Sequence, residues 1–323
     1  MSLRAEKLRS PLAVKFVSSV RGPLREDHVR VRPPGCVLPA RYMRDARRIL
    51  DLEVRPDDVW IVTLPKCGTT WSQEMVWLLM NDCDLEKAKQ TPLTERFPFL
   101  EITSVTPNLS VKVPHSIDQV QSMKSPRLIK SHLPLELLPR QIRTVKPRIM
   151  YMMRNLKDMI VSYYHHYQLW GECHLTLDEF AECFMEDIPM YLPYWEHVIP
   201  FWNMRQEPHV LFYSYEEMKE DLATVVRRMA AFLGKPIAEE MVAKLVDHLS
   251  FDSMRDNPAV NNSSAVEHIR KEHQLEPAAS TGRSFMRRGV VGEGGQRLSE
   301  GVQRRLERWT EERLQGRGYT GPR

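Results

Sequence analysis

An α/β fold, with a central parallel sheet flanked by helices, is what this sequence predicts, and three observations predict it. Short apolar runs rich in β-branched residues recur at 59–64 (VWIVTL), 128–130, 149–153 (IMYMM) and 209–213 (HVLFY). Polar motifs close these runs, and three of them lead into apolar residues at a 3.6-residue period, the pattern of strand-then-helix units in a parallel sheet. The 323 residues contain no internal repeat, and 42% hydrophobic with 27% charged residues is the balance of an ordinary folded chain. We read residues 1–323 as a single domain.

The first unit is the run 59–64, a tight loop holding Pro65 and Gly68, and a helix marked by Trp71, Met75, Leu78 and Leu79. The second run ends in Ser131 and His132; Lys130 and His132 stand two residues apart, so both project to one face of an extended chain. The third ends in Arg154 and feeds a helix with Leu156, Met159, Ile160, Tyr163 and Tyr167 on its apolar side and Ser162 on its polar side. Beyond the fourth run comes Tyr215, then one helix face of Met218, Leu222, Val225, Met229 and Phe232. Residues 255–285 are polar, with Pro258, Asn261, Asn262 and Pro277. So long a connection predicts a lid, taken here as 255–290. Residues 299–314 read as a charged helix, and 316–323 as a frayed tail. In open α/β sheets ligands bind beyond the carboxyl ends of the strands, where all these motifs lie.

A net charge of +4, from 46 basic and 42 acidic side chains, is too small an excess to predict a nucleic-acid surface. Cys36, Cys67, Cys83, Cys173 and Cys183 show no CxxC spacing and leave one unpaired in any scheme, against a disulfide framework or a zinc site. Neither a signal-like apolar core near the start nor a run of about 18 apolar residues occurs, so we expect a cytoplasmic protein without a membrane anchor. Sequons at Asn108, Asn261 and Asn262 would be silent there.

The string from Thr63 to Trp71 (TLPKCGTTW) joins strand to helix, where free backbone N–H groups and the helix dipole make an anion site. Gly68 admits close approach, Thr69 and Thr70 add hydroxyls, and Lys66 adds a point charge. It is not the nucleoside-triphosphatase loop, because the lysine precedes the glycine, and magnesium is not expected. The PKCGTTW string resembles the phosphosulfate loop of the cytosolic sulfotransferases, which reads close to YPKSGTTW; Leu64 and Cys67 depart from it. Two further strings are similar to that family: YMMRNLKDMIVS, from Tyr151 to Ser162, matches its 3′-phosphate motif through Arg154 and Ser162. The string FMRRG, from Phe285 to Gly289, matches its FMRKG segment through Arg287, Arg288 and Gly289. Tyr215 and Phe251 align with the family's adenine neighbours, and Trp71 with its stacking tryptophan, while Leu249 replaces a usual threonine.

What the resemblance implies is a sulfotransferase that moves a sulfuryl group from 3′-phosphoadenosine 5′-phosphosulfate (PAPS) to a hydroxyl, leaving 3′-phosphoadenosine 5′-phosphate (PAP). The Lys130–Pro134 string KSHLP matches the family's K[ST]HLP motif, so His132 is implied as general base, with Lys66 and Lys130 stabilising the transferred group. Small phenols, catechols, steroids or alcohols are the expected acceptors, with neither nucleic acid nor membrane as partner. Phe97, Phe99, Tyr167 and Trp170 are candidate pocket residues, at most one of His165 and His166 is expected to face the acceptor, and residues 1–40 are expected to pack near it. The stretch 292–296 (GEGGQ) replaces the family's GDWK and the dimer motif beyond is not matched, which puts a homodimer in question. A protein that binds PAPS without turnover is the alternative, motivated by the departures at Leu64, Cys67, Leu249 and the stretch 292–296. A kinase with a divergent loop would need a triphosphate site that the sequence does not offer.

Overall fold

The computed structural model describes residues 2–106 and 115–323, so the sequon at Asn108 lies outside the described residues. Among the described residues seven strands form two sheets. An antiparallel meander opens the chain: β1 (Arg4–Lys7), β2 (His28–Arg32) and β3 (Cys36–Pro39). Four parallel strands follow, β4 (Val59–Thr63), β5 (Leu128–Ser131), β6 (Arg148–Met153) and β7 (Val210–Ser214), ordered β5-β4-β6-β7. The four apolar runs are thus the four parallel strands, to within about a residue at each end.

Alternation along these strands feeds two cores. Trp60, Val62, Ile129, Ile149, Tyr151 and Met153 enter one. Val59, Ile61, Leu128, Met150 and Met152 enter the other, on the opposite face. Both faces are covered, which is why the strands carry continuous apolar runs and not a polar-apolar alternation. The chain leaves β4 for β5 on one side and returns to β6 on the other. That reversal opens a crevice at the carboxyl end of β4, the place where such sheets bind ligands.

Several elements differ from the sequence expectation. The apolar face expected as one helix beyond β7 is two, Tyr215–Glu220 and Leu222–Leu233, because Asp221 leaves helical geometry and its side chain caps the second by accepting from Thr224 N at 2.9 Å. The stretch read as a connection from 255 to 285 contains a ten-residue helix, Ser263–Glu272. Only Val266 and a buried Arg270 face inward there, too few apolar residues to leave a period in the sequence. The tail is docked and not frayed: Tyr319 is buried, its ring centroid 5.1 Å from that of Trp195 and 4.8 Å from that of Trp202. One tyrosine among glycines carries no periodic signal.

The N-terminal meander buttresses the crevice. Val37 N–H donates to Leu192 O and Tyr191 N–H to Val37 O, at 2.9 and 2.8 Å, pinning β3 to the segment that carries Tyr191. Behind it the helix Pro11–Ser19, capped by Ser10, sets Phe16 edge-on to Tyr167 at 5.3 Å.

Candidate active site

Beyond β4 the backbone turns through Lys66 at φ 69° and Gly68 at φ 96° before the helix Thr69–Met80 begins. Two left-handed residues in one short loop turn successive N–H groups toward a common point, and the first-turn N–H groups have no intrahelical acceptor. Glycine is required: a Cβ there would lie 2.5 Å from Met152 Cε and 2.9 Å from Tyr215 Cδ2. Thr69 turns its hydroxyl back to Thr63 Oγ1 at 2.6 Å, while Thr70 and Trp71 are half-buried. Cys67 is buried, and burial pushes its thiol up to about 12, so it is a small neutral side chain without the hydroxyl of a serine.

Arg154, at the end of β6, ties three motifs together. Its guanidinium donates to Lys66 O at 3.4 Å and to Val290 O at 3.1 Å, and lies 4.2 Å from the centre of the Tyr215 ring. The Asp158 carboxylate, one helical turn on, caps the chain at 292–294, accepting from Gly292 N and Gly294 N at 2.7 Å each. Arg154 Nε and Trp71 Nε1 are buried without a partner. Phe251 packs against Gly289, where a Cβ would sit 2.3 Å from its ring. Arg287 and Arg288 both donate to Glu293, the pair with Arg288 at 3.3 Å, and this draws Glu293 down to about 2. Ser162 is half-buried on the helix Leu156–Gly171.

At the end of β5, Lys130 and His132 meet at one ring. Lys130 Nζ lies 4.2 Å above the centre of Phe99, and the His132 ring stands edge-on to Phe99 at 5.1 Å and to Tyr191 at 5.4 Å. His132 Nδ1 is 2.8 Å from Thr63 O, which can only accept, so Nδ1 carries the hydrogen and Nε2 keeps its lone pair. Burial and the neighbouring Lys130 hold His132 well below its ordinary value, and it is neutral at pH 7. Lys66 is pushed down to about 7 by burial and by Arg154, Arg287 and Lys130; Lys130 is pushed down by burial to about 8. Among the described residues neither lysine forms an ion pair, and Lys66 Nζ rests on the Phe285 ring at 4.4 Å. Two desolvated cations, an orphaned guanidine nitrogen and a nest of N–H groups fit a polyanion such as PAPS.

The other pocket candidates separate. Phe99 belongs to this cluster, whereas Phe97 is core and Tyr167 is buried with its hydroxyl accepting from Met190 N at 3.1 Å. Trp170 packs with Val266, Ala278 and Phe285, residues of the 255–290 stretch. His165 is engaged by Arg297 at 2.5 Å; His166, whose Nδ1 has no partner, is held low by burial and by Lys66 and Lys130. Sequence reasoning missed Glu101, Tyr191 and His197, and gave Thr63 and Glu293 no part of their own. Glu101 accepts from His132 N at 2.6 Å, and His197 Nε2 donates to His132 O at 3.0 Å. A lone glutamate after an apolar FPFL string carries no spacing signal that could have singled it out.

The chain as a whole resembles known proteins. A family model for the sulfotransferase domain matches residues 56–318. The chain is 36% identical over 309 residues to luciferin sulfotransferase of Photinus pyralis, covering 92% of this chain and 82% of the relative. It is 33% identical over 264 residues to sulfotransferase 1E1 of Homo sapiens, covering 81% and 85%. A crystal structure of retinol dehydratase in complex with androsterone and PAP superposes with a TM-score of 0.87 at 28% identity, covering 100% and 99%. The chain therefore belongs to the sulfotransferase family, and its donor is PAPS.

Proposed function

We propose that this protein transfers the sulfuryl group of PAPS directly, in line, to the hydroxyl of a small hydrophobic acceptor, with His132 as general base. The observation that carries this reading is the asymmetry of the His132 ring: Nδ1–H is committed to Thr63 O, and Nε2 is left as the basic nitrogen between Phe99 and Tyr191. In this reading Nε2 takes the acceptor's hydroxyl proton while that oxygen attacks sulfur. Charge grows on the sulfuryl oxygens and on the departing phosphate oxygen, and Lys66 and Lys130 stabilise it electrostatically. The loop 66–71 holds the 5′-phosphosulfate through its N–H groups. Arg154, Ser162, Arg287 and Arg288 hold the 3′-phosphate, and Trp71, Tyr215 and Phe251 enclose the adenine.

The acceptor meets Phe99, Tyr191 and His166. Residues 255–290 close over the nucleotide, supported by the packing of Phe285 on Lys66, and residues 1–40 wall the acceptor side, supported by β3 pinning Tyr191. Phenols, catechols, steroids and aliphatic alcohols are the acceptor classes of this reading. Related proteins include a luciferin sulfotransferase and a retinol dehydratase crystallised with retinol and PAP.

The test incubates the purified protein with PAPS and a panel of those four classes, beside His132→Ala. Formation of PAP and a sulfated product by wild type, lost in the variant, is the expected result. A dehydrated product in place of the ester would redirect the reading to elimination. PAP binding without transfer to any acceptor would replace it with a binding function.

A further inference from the structure

Glu101 is fully buried at the carboxyl end of β5, on a segment tied to that strand. Leu100 N donates to Lys130 O and Lys130 N to Pro98 O, each at 2.9 Å, so residues 98–100 run beside the catalytic string. The carboxylate then reaches over the next two residues: Oε1 accepts from His132 N at 2.6 Å and Oε2 from Ser131 Oγ at 2.9 Å. Ser131 Oγ in turn accepts from Leu133 N at 3.1 Å. Both oxygens are spent on the turn that presents His132, and a buried carboxylate of this kind is retained only where its charge or its bonds are used.

We propose that Glu101 is a positioning residue of the transfer site: its carboxylate ties down the turn that presents His132 and is the counter-charge of Lys130. This rests on the reading of Lys130 and His132 given above. The groups that face Glu101 are Lys130, Cys36 on β3, Tyr42 and Tyr191. Burial keeps the thiol and both phenols neutral, which leaves Lys130 as the partner charge. Burial also pushes Glu101 up to about 7, so its charge is complete only above that, in the alkaline range where Lys130 titrates. Lys130 itself faces Glu101, Lys66, His132 and His166; the two histidines are neutral and Lys66 repels it. Without the Glu101 charge, Lys130 would lose its proton at lower pH, and the site would lose a cation it needs for the sulfuryl group.

The substitution Glu101→Gln keeps the shape and lets the amide donate where Oε2 accepted, so it removes the charge and little else. PAP affinity and sulfuryl transfer to 2-naphthol are measured from pH 6 to 9.5 for wild type, Glu101→Gln, Lys130→Arg and His132→Ala. The alkaline fall of both quantities is expected at lower pH in Glu101→Gln, tenfold in charged Lys130 for each unit it moves. In Lys130→Arg, whose charge does not titrate, the part of the fall due to residue 130 disappears. An alkaline fall in Glu101→Gln that coincides with wild type, at whatever overall rate, overturns the proposal. If Glu101→Gln fails to fold, an alkaline fall in Lys130→Arg identical to wild type overturns it instead. Undiminished transfer by His132→Ala would overturn the underlying reading of the site and leave the coupling between Glu101 and Lys130 to be judged on PAP affinity alone.

Discussion

His132 has one nitrogen committed and one open, and at the residue scale that asymmetry decides its chemistry. Its replacement by Ala should lower transfer by about 10²- to 10⁴-fold while PAP affinity is kept, measured by turnover and by calorimetry. Because burial and Lys130 hold the free protein's His132 well below 6.5, His132 should contribute no acid limb to kcat/KM near 6.5, only one at clearly lower pH. Gly68 decides the loop in a different way: its φ of 96° and the 2.5 Å approach to Met152 leave no room for a side chain. Gly68→Ala should abolish PAP binding and destabilise the fold by about 1–3 kcal/mol, read by thermal unfolding with and without PAP. Both residues were singled out in the sequence, because each sits in a string that resembles a family motif. Glu101 was not, since its meaning lies in a contact across 31 positions to the backbone of His132.

At the scale of elements, the helix Leu156–Gly171 organises the nucleotide side. Its first turn offers Asp158 to the chain at 292–294, and Gly294 packs so closely that a Cβ would lie 2.3 Å from Lys157 C. In this chain a side chain at 294, where the family's GDWK has its tryptophan, would be pressed against that helix. Glu293 then gathers Arg287, Arg288 and Arg297. Its folded-state value near 2, below the ordinary 4.5, means it contributes stability above about pH 4.5 and loses that contribution as pH falls toward 2. The stability difference between wild type and Glu293→Gln should be constant above pH 4.5 and shrink on acidification, followed by denaturant titration at each pH. Strand and helix units were readable because their periods are local; the break at Asp221 and the helix Ser263–Glu272 were not, being set by a single cap and by two inward residues.

On the scale of the whole molecule, two lysines from different strand ends share one desolvated site. Lys66 near 7 and Lys130 near 8 are depressed below their ordinary 10.5, so the free protein has already released part of their protons at neutral pH. A bound polyanion favours their charged forms, so binding takes protons up and affinity must fall as pH rises through 7 and 8. PAP affinity should therefore weaken between pH 7 and 9, with proton uptake visible as a buffer-dependent binding enthalpy. At a concentration about 100-fold above its Kd, PAP should stabilise the fold by about 2.7 kcal/mol at pH 7, seen as a raised Tm.

Sequence alone determined the parallel sheet, the turn between β4 and its helix and the strings that carry Lys66, Lys130, His132 and Arg154, because each is a local pattern of period, turn and charge. Tertiary structure decided which of those groups meet. It set Asp158 on the chain at 292–294, placed Phe99 and Tyr191 around His132, folded the N-terminal meander against Tyr191 and buried Glu101 behind the turn that presents His132. Those outcomes depend on contacts between segments far apart in the chain, whose strength comes from burial, and burial is a property of the folded whole.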